Sequence, residues 1–537
     1  MPLPQSKLGV GRTGSGKTLG ELPELLEHVE DRNVAIIVLD HHGHLSKLFA
    51  QHLKKRGRTP RLLYDELGRF ERVLAPRFLI PSKADNPIER QADIHKAIMA
   101  FLDVLWTASG RDDKNWHEMP TLSMYLELGA RLFVNQPEQL IPRYFPYVFR
   151  PKHPVFHYLL ANTFDEEAGE EFEEIAFLEK RGNYNLLDQK IGPAKRLTRQ
   201  DFSFPEFDHR MASSLNVGKV LRNKKIVIVD ASSVPKQAAA AVFRMWNCAA
   251  IFEMERHYAL TGEPTPVIFV WEEAADINMI RVRSVETSIL RAGRKFGATA
   301  HVLSQDLDFE DPAVRKIVVG NTTVHKWYNP GDPELALFAA LDLGLPQLDP
   351  YRIHSETTTE RALPNGHVYQ DRHSIRTVEG VSKYVIGEER ISTHRFVTDT
   401  QTKYVPLNDQ PQLIAKKLQN MPPGWRMTRI SGKSVSAEPE YSAPLPDPYP
   451  EDKFPGVAAI MLRAAIHESQ RSPEFITPVE LDTSWAETTT TSHDSATNSS
   501  GNTSTFTPLP WSNSSKQEST QPKKRRGNAQ KGGRAKK

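Results

Sequence analysis

Cysteine is nearly absent: Cys248 is the only one in 537 residues. An intrachain disulfide is impossible and a multi-cysteine zinc site is excluded, which suits a reducing cytoplasm. Long apolar runs are missing too. No stretch approaches about eighteen uninterrupted apolar residues, and the N-terminus lacks a basic stretch followed by an apolar core, so neither a membrane span nor a signal peptide is expected. Strong charge of one sign is the third absence, because the formal net charge is only +3. Residues 523–537 hold eight Lys or Arg and no acid, which leaves the remaining 522 residues at a net charge of about −5. Any grip on nucleic acid by the body of the chain must then come from a local basic patch, since its overall field is mildly repulsive.

The length allows two or three domains with large cores. The chain opens as strand, glycine loop and helix, "KLGV", "GRTGSGKT" and "TLGELPELLEHVE", followed by "NVAIIVLD". That continuous apolar run is the pattern of a strand buried on both faces of a parallel sheet. Over 86–215 the alternation gives way to helical periodicity, as in "IERQADIHKAIMAFLDVLW", which reads as an all-helical insertion. Strand and helix then alternate through "KKIVIVDAS", "TPVIFVWEE", "ATAHVLSQ" and "TTVHKWYN". Such alternation predicts one parallel sheet wrapped by helices, an α/β fold.

Beyond residue 350 the pattern weakens to short strand-like runs, "KYVIGEE" and "RFVTDT", and one helix, "QPQLIAKKLQNM". The last part is rich in Ser, Thr and Asn and should be disordered, because it has too little apolar surface to offset the entropy of ordering. The expected division is 1–85 for the first part of the core, 86–215 for the helical insertion and 216–349 for the second part of the core. A mixed extension over 350–475 and a disordered linker with its basic tail over 476–537 complete it.

"GRTGSGKT" fits G-x-x-x-x-G-K-[ST] in full, with Gly11, Arg12, Thr13, Gly14, Ser15 and Gly16 forming the loop. Its backbone N–H groups must turn inward around phosphate oxygens, Lys17 reaches the β and γ phosphates, and Thr18 holds magnesium. ATP and Mg2+ are the expected ligands. A P-loop also needs an apolar strand ending in carboxylates, and "VIFVWEEAADI" supplies Glu272 and Glu273. The bland alternative is an acid-rich helix start. In "LRAGRKFGATAHVLSQ", Arg291, Arg294 and Lys295 end a helix, where cations also suit the dipole; the functional alternative is an arginine finger for a neighbouring subunit. Gln305 ends the next strand, where such sheets bind ligands.

"GRTGSGKT", "VLDHHGHL", "IVIVDASSVP", "VIFVWEEAA" and "LRAGRKFGATAHVLSQ", in this order, resemble the HerA and FtsK superfamily of DNA-pumping ATPases. The insertion between the second and third elements looks most like the conjugative coupling proteins of type IV secretion, the TraG and TraD-like group. The likeness covers roughly residues 5–345, with a weaker echo in "QPQLIAKKLQNMPPGWRMTRISGK". It implies a RecA-like P-loop core, with Glu272 in the magnesium shell, Glu273 as catalytic base, Arg294 as the trans-acting arginine and Gln305 as polar sensor. Asp40, His42 and Gly43 match the family's post-strand D-x-H-G. Glu272 stands where the family usually has Asp, which bears on the rate of hydrolysis more than on binding.

The resemblance also implies a cytoplasmic, ring-forming homo-oligomer, a hexamer, that translocates DNA through pore loops, with a secretion-channel or relaxase partner. Neither the membrane helices of coupling proteins nor the barrel of HerA proteins occurs in these residues, so targeting is expected from a partner or from the basic tail. That tail, on a flexible tether, is placed either to bind phosphates or merely to solubilise. Two other readings stay open: a secretion or assembly ATPase acting on protein, and a nucleotide-gated scaffold with little hydrolysis.

Overall fold

The computed structural model describes residues 4–477, apart from 77–86, 109–118, 135–141, 199–214, 345–352, 432–438 and a few isolated positions. The basic tail and nearly all of its linker lie outside the described residues. The chain order begins β1 (Lys7–Val10), α1 (Lys17–Asp31), β2 (Ala35–Asp40), α2 (His44–Lys55) and β3 (Leu62–Glu66). Helices α3 (Pro87–Ala108), α4 (Pro120–Val134), α5 (Pro154–Ala161), α6 (Glu166–Lys180), α7 (Tyr184–Thr198) and α8 (Val217–Arg222) follow. The alternation returns with β4 (Ile226–Asp230), α9 (Lys236–Thr261), β5 (Val267–Glu272), α10 (Val285–Ala292), β6 (Ala298–Ser304), α11 (Pro312–Asn321), β7 (Val324–Trp327) and α12 (Pro333–Gly344). Last come β8 (Ile353–Val378), β9 (Val381–Tyr404), α13 (Gln410–Gln419), β10 (Trp425–Ile430), β11 (Glu440–Tyr441) and α14 (Val457–Gln470).

Nine strands form one sheet in the order β11-β10-β7-β1-β6-β5-β2-β4-β3. From β7 to β3 every pair is parallel, and β10 and β11 add antiparallel at one edge. β1 is thus interior, and β6 separates it from β5. Period-two geometry divides each strand between two cores. Ile36, Val38, Ile226, Ile228, Ile268 and Val270 face α1, α2 and α14, while Ile37, Leu39, Val227, Val229, Phe269 and Trp271 join the opposite cluster. That second cluster runs without a break into Phe101, Phe133, Phe145 and Phe149, so the helical insertion shares the sheet's core. Phe172, Ile175 and Leu178 make the buried face of α6, as its acidic, amphipathic sequence predicts. Arg244 on α9, fully buried, ties the layers by pairing with Asp103 of α3 at 2.7 Å and with Glu286 of α10 at 3.3 Å.

The segment after residue 350 differs from its sequence reading. "KYVIGEE" and "RFVTDT" both fall on β9, which pairs with β8 along its length as one long antiparallel ribbon. Its described side chains near the base are mostly exposed. Among the described residues these strands cover no core, so they need no alternation of apolar and polar residues there, and the usual strand signal is weak. A register shift between Pro364 and Gly366 interrupts the ladder. The rest of the segment returns to the core. β10 extends the sheet, and α14 covers the far edge, where Ser469 Oγ accepts from Tyr64 N at 2.9 Å.

Beneath the P-loop helix, Lys326 of β7 reaches Glu21 Oε2 at 3.1 Å and also pairs with Glu24. Burial alone would raise the Glu21 carboxyl, but His301 and Lys326 beside it hold it well below the usual range. A depressed carboxyl stabilises the fold above its unfolded value, 4.5, and loses that contribution as pH falls towards the folded one. Lys326→Met leaves the buried Glu21 without its lysine and is expected to cost about 3–5 kcal/mol at pH 7. Urea unfolding should show that difference shrinking below pH 4.5.

Candidate nucleotide-binding site

Because the central strands are parallel, their C-terminal ends share one edge, and the loops that follow them assemble the site there. β1 runs into residues 11–16, and α1 begins at Lys17, so the positive end of that helix points at the loop. Gly14 and Gly16 have φ of 76° and 92°, the left-handed values that turn successive N–H groups inward. The loop is braced from outside: Arg12 N donates to Asn329 O at 2.9 Å, and Gly424 N donates to Ser15 O at 2.9 Å.

Register places Asp40 of β2 directly between Asp230 of β4 and Glu272 of β5. Asp40 is committed to the backbone. Its Oδ1 accepts from His42 N and Gly43 N, and its Oδ2 from Ser46 N, at 2.8–2.9 Å. The D-x-H-G segment is therefore a turn that starts α2. Glycine is required at 43 by its φ of 71° and by Asp230, whose Oδ1 would lie 2.6 Å from an added Cβ.

Six of the sequence-derived residues converge. Lys17 Nζ donates to Glu273 Oε1 at 2.8 Å, and both side chains are about 5% exposed. Glu273 Oε2 accepts from Gln305 N at 3.1 Å, while Gln305 Oε1 accepts from Thr13 Oγ1 at 2.9 Å. Thr18 Oγ1 donates to Glu272 Oε1 at 2.8 Å. Glu273 has φ of 55°, a conformation that non-glycine residues seldom adopt, and it turns the side chain from the strand towards the loop.

Glu272 answers whether a divalent cation fits. Its Oε2 is buried with no hydrogen-bond partner among the described residues. Burial, with Asp40 next, pushes its carboxyl up to about 8. A hard cation favours oxygen ligands, and the hydroxyl of Thr18 with the carboxylate of Glu272 is such a donor set.

Arg294 stands apart. It is exposed in the 3-10 turn Gly293–Phe296 that precedes β6, whereas Gln305 follows that strand. Seven strand residues at about 3.3 Å each separate the two by roughly 20 Å, beyond the reach of an arginine side chain. Arg294 therefore does not serve its own P-loop. The bracing residues, Asn329 and the turn at 422–424, were not singled out by sequence reasoning. The only signal was the presence of "PPGW" in the weaker stretch of resemblance.

A glycine loop between strand and helix, acids on the next strand but one, and a polar residue ending the strand between them define a RecA-like P-loop core. No protein-family model matches the chain, and no curated protein sequence is similar to it. Its structure is similar to that of the bacterial conjugative coupling protein TrwBdeltaN70 in an unbound form, at 13% identity and a TM-score of 0.46, covering 82% of this chain and 86% of that one. It is also similar to plasmid coupling protein TrwB in complex with ADP and Mg2+, at 12% identity and a TM-score of 0.46 over the same shares. TrwB with the GTP analogue GDPNP matches at 11% identity and 0.46, over 83% and 88%. Likeness at this level does not extend to activity or partner, and the strand order itself defines the fold.

Proposed function

We propose that the chain is an ATP hydrolase that moves DNA, working in the cytoplasm as a ring of identical subunits, a hexamer, with catalytic sites between neighbours. The observation that carries the chemistry is the junction of Lys17, Glu273 and Gln305 beside the P-loop. In that junction the Glu273 carboxylate neutralises the cation that a triphosphate would engage. Nucleotide binding draws Lys17 to the β and γ phosphates and frees Glu273 to polarise water. Gln305, tied to both Thr13 and Glu273, links the state of the loop to that of the base. Thr18 and Glu272 would hold Mg2+, which when bound offsets charge on the phosphate oxygens. Arg294 of the adjacent subunit completes the site.

DNA as cargo rests on the resemblance of the ordered motifs, with pore loops and the basic tail over 523–537 as its contacts. The deciding measurement is the ATPase rate of the full chain with and without double-stranded DNA. Strong stimulation is expected, abolished in Lys17→Ala. Turnover indifferent to DNA would favour a secretion or assembly ATPase acting on protein. Binding without turnover would favour the nucleotide-gated scaffold.

A further inference from the structure

Beside the turn that braces the P-loop stand two aromatic rings with no role in the chemistry above, Trp425 at the start of β10 and Tyr441 on β11. Pro422 and Pro423 lead into Gly424, whose N–H holds Ser15 O. The backbones are so close that a Cβ on Gly16 would lie 2.8 Å from Gly424 N. Trp425 comes next and pairs across the sheet edge with Tyr441. Tyr441 is itself near enough for its ring to lie 3.0 Å from a Cβ on Gly424, and Ser442 N donates to Gly424 O at 2.8 Å. The two rings are 5.5 Å apart at 45°, yet Trp425 is 36% and Tyr441 54% exposed.

A P-loop grips only phosphates. The sugar and base of a bound nucleotide must extend out of the loop, over whatever flanks it. Here the flank is an edge of two partly exposed rings, tied to the loop through the backbone hydrogen bond of Gly424 to Ser15. Cross-strand packing accounts for their contact with each other, but not for the exposure both keep beside the turn that braces the phosphate loop.

We propose that Trp425 and Tyr441 form the nucleobase platform of the site, on which the base of a nucleoside triphosphate stacks. This rests on the nucleotide reading above and adds the base subsite to it. Stacking reads ring area and not the hydrogen-bonding edge, so purine nucleotides bind better than pyrimidine ones, and ATP and GTP bind alike.

The test is calorimetric titration of the full chain with ATP, GTP, CTP and inorganic tripolyphosphate, which has the phosphates without the base. Trp425→Ala should weaken ATP and GTP about tenfold and leave tripolyphosphate unchanged, with Trp425→Phe restoring much of the loss. Tyr441→Ala, at an exposed edge position, should act in the same direction and guards against a folding defect in the first variant. Equal loss of ATP and tripolyphosphate would mean that the turn only supports the loop, and the platform would be wrong. Unchanged ATP affinity in both alanine variants would also overturn it. If the unaltered chain bound neither ATP nor tripolyphosphate, the nucleotide site itself would fail, and the platform with it.

Discussion

Glu273→Gln should bind ATP at least as tightly as the unaltered chain and hydrolyse it about 10²–10⁴ times more slowly, the usual contribution of a positioned general base. The size of the effect follows from the geometry. Glu273 is the carboxylate bonded both to the P-loop lysine and to the backbone that bears Gln305, and its left-handed backbone aims it at the loop. Glutamine keeps the shape and can still accept from Lys17, so the fold should survive. It removes the negative charge that competes with the triphosphate for Lys17 and that would repel the γ phosphate, so affinity should hold or rise. Phosphate release under single-turnover conditions, with binding measured separately, separates the two effects. Turnover equal to that of the unaltered chain would remove Glu273 from the chemistry and leave the Lys17 pair as a structural tie.

Arg294→Ala should cost still more in rate, about 10³–10⁵, the range for an arginine that stabilises the charge of phosphoryl transfer from a neighbouring subunit. Its position decides how the loss should behave. Arg294 lies at the opposite end of β6 from the loop of its own chain, exposed, so its removal should leave ATP binding and stability nearly unchanged. Mixing the two inactive proteins is the decisive measurement. Where a subunit with Arg294→Ala meets one with Glu273→Gln, one of the two kinds of shared site has both an intact base and an intact arginine. Turnover should partly return. If no mixing ratio recovers activity while the proteins demonstrably co-assemble, the shared site is wrong, and Arg294 is a cation that merely suits the end of α10.

Much of the core was legible from local pattern. The apolar runs of β2, β4, β5 and β6 are buried on both faces, as a parallel interior strand must be. The glycine loop is legible for a similar reason, since its function lies in backbone conformation and needs glycine at fixed spacing. β3 and β10 are less distinct. Tyr64, Asp65, Arg426, Thr428 and Arg429 interrupt their apolar pattern, and each strand lies near an edge of the sheet. The long ribbon of β8 and β9 was the least visible, because packing against a core is what imprints period-two hydrophobicity on a strand.

The sequence by itself determined the fold class, the phosphate loop and the identity of the acids, because each is written in residues close together along the chain. Only the tertiary structure decided that Gln305 reaches Thr13 across 292 positions, that Glu273 occupies Lys17, and that the turn at 422–424 braces the loop. Those contacts depend on strand order. β6 inserts between β1 and β5, and β10 returns beside β7. That order is set by how the helices pack over both faces of the sheet, which no local stretch of residues records.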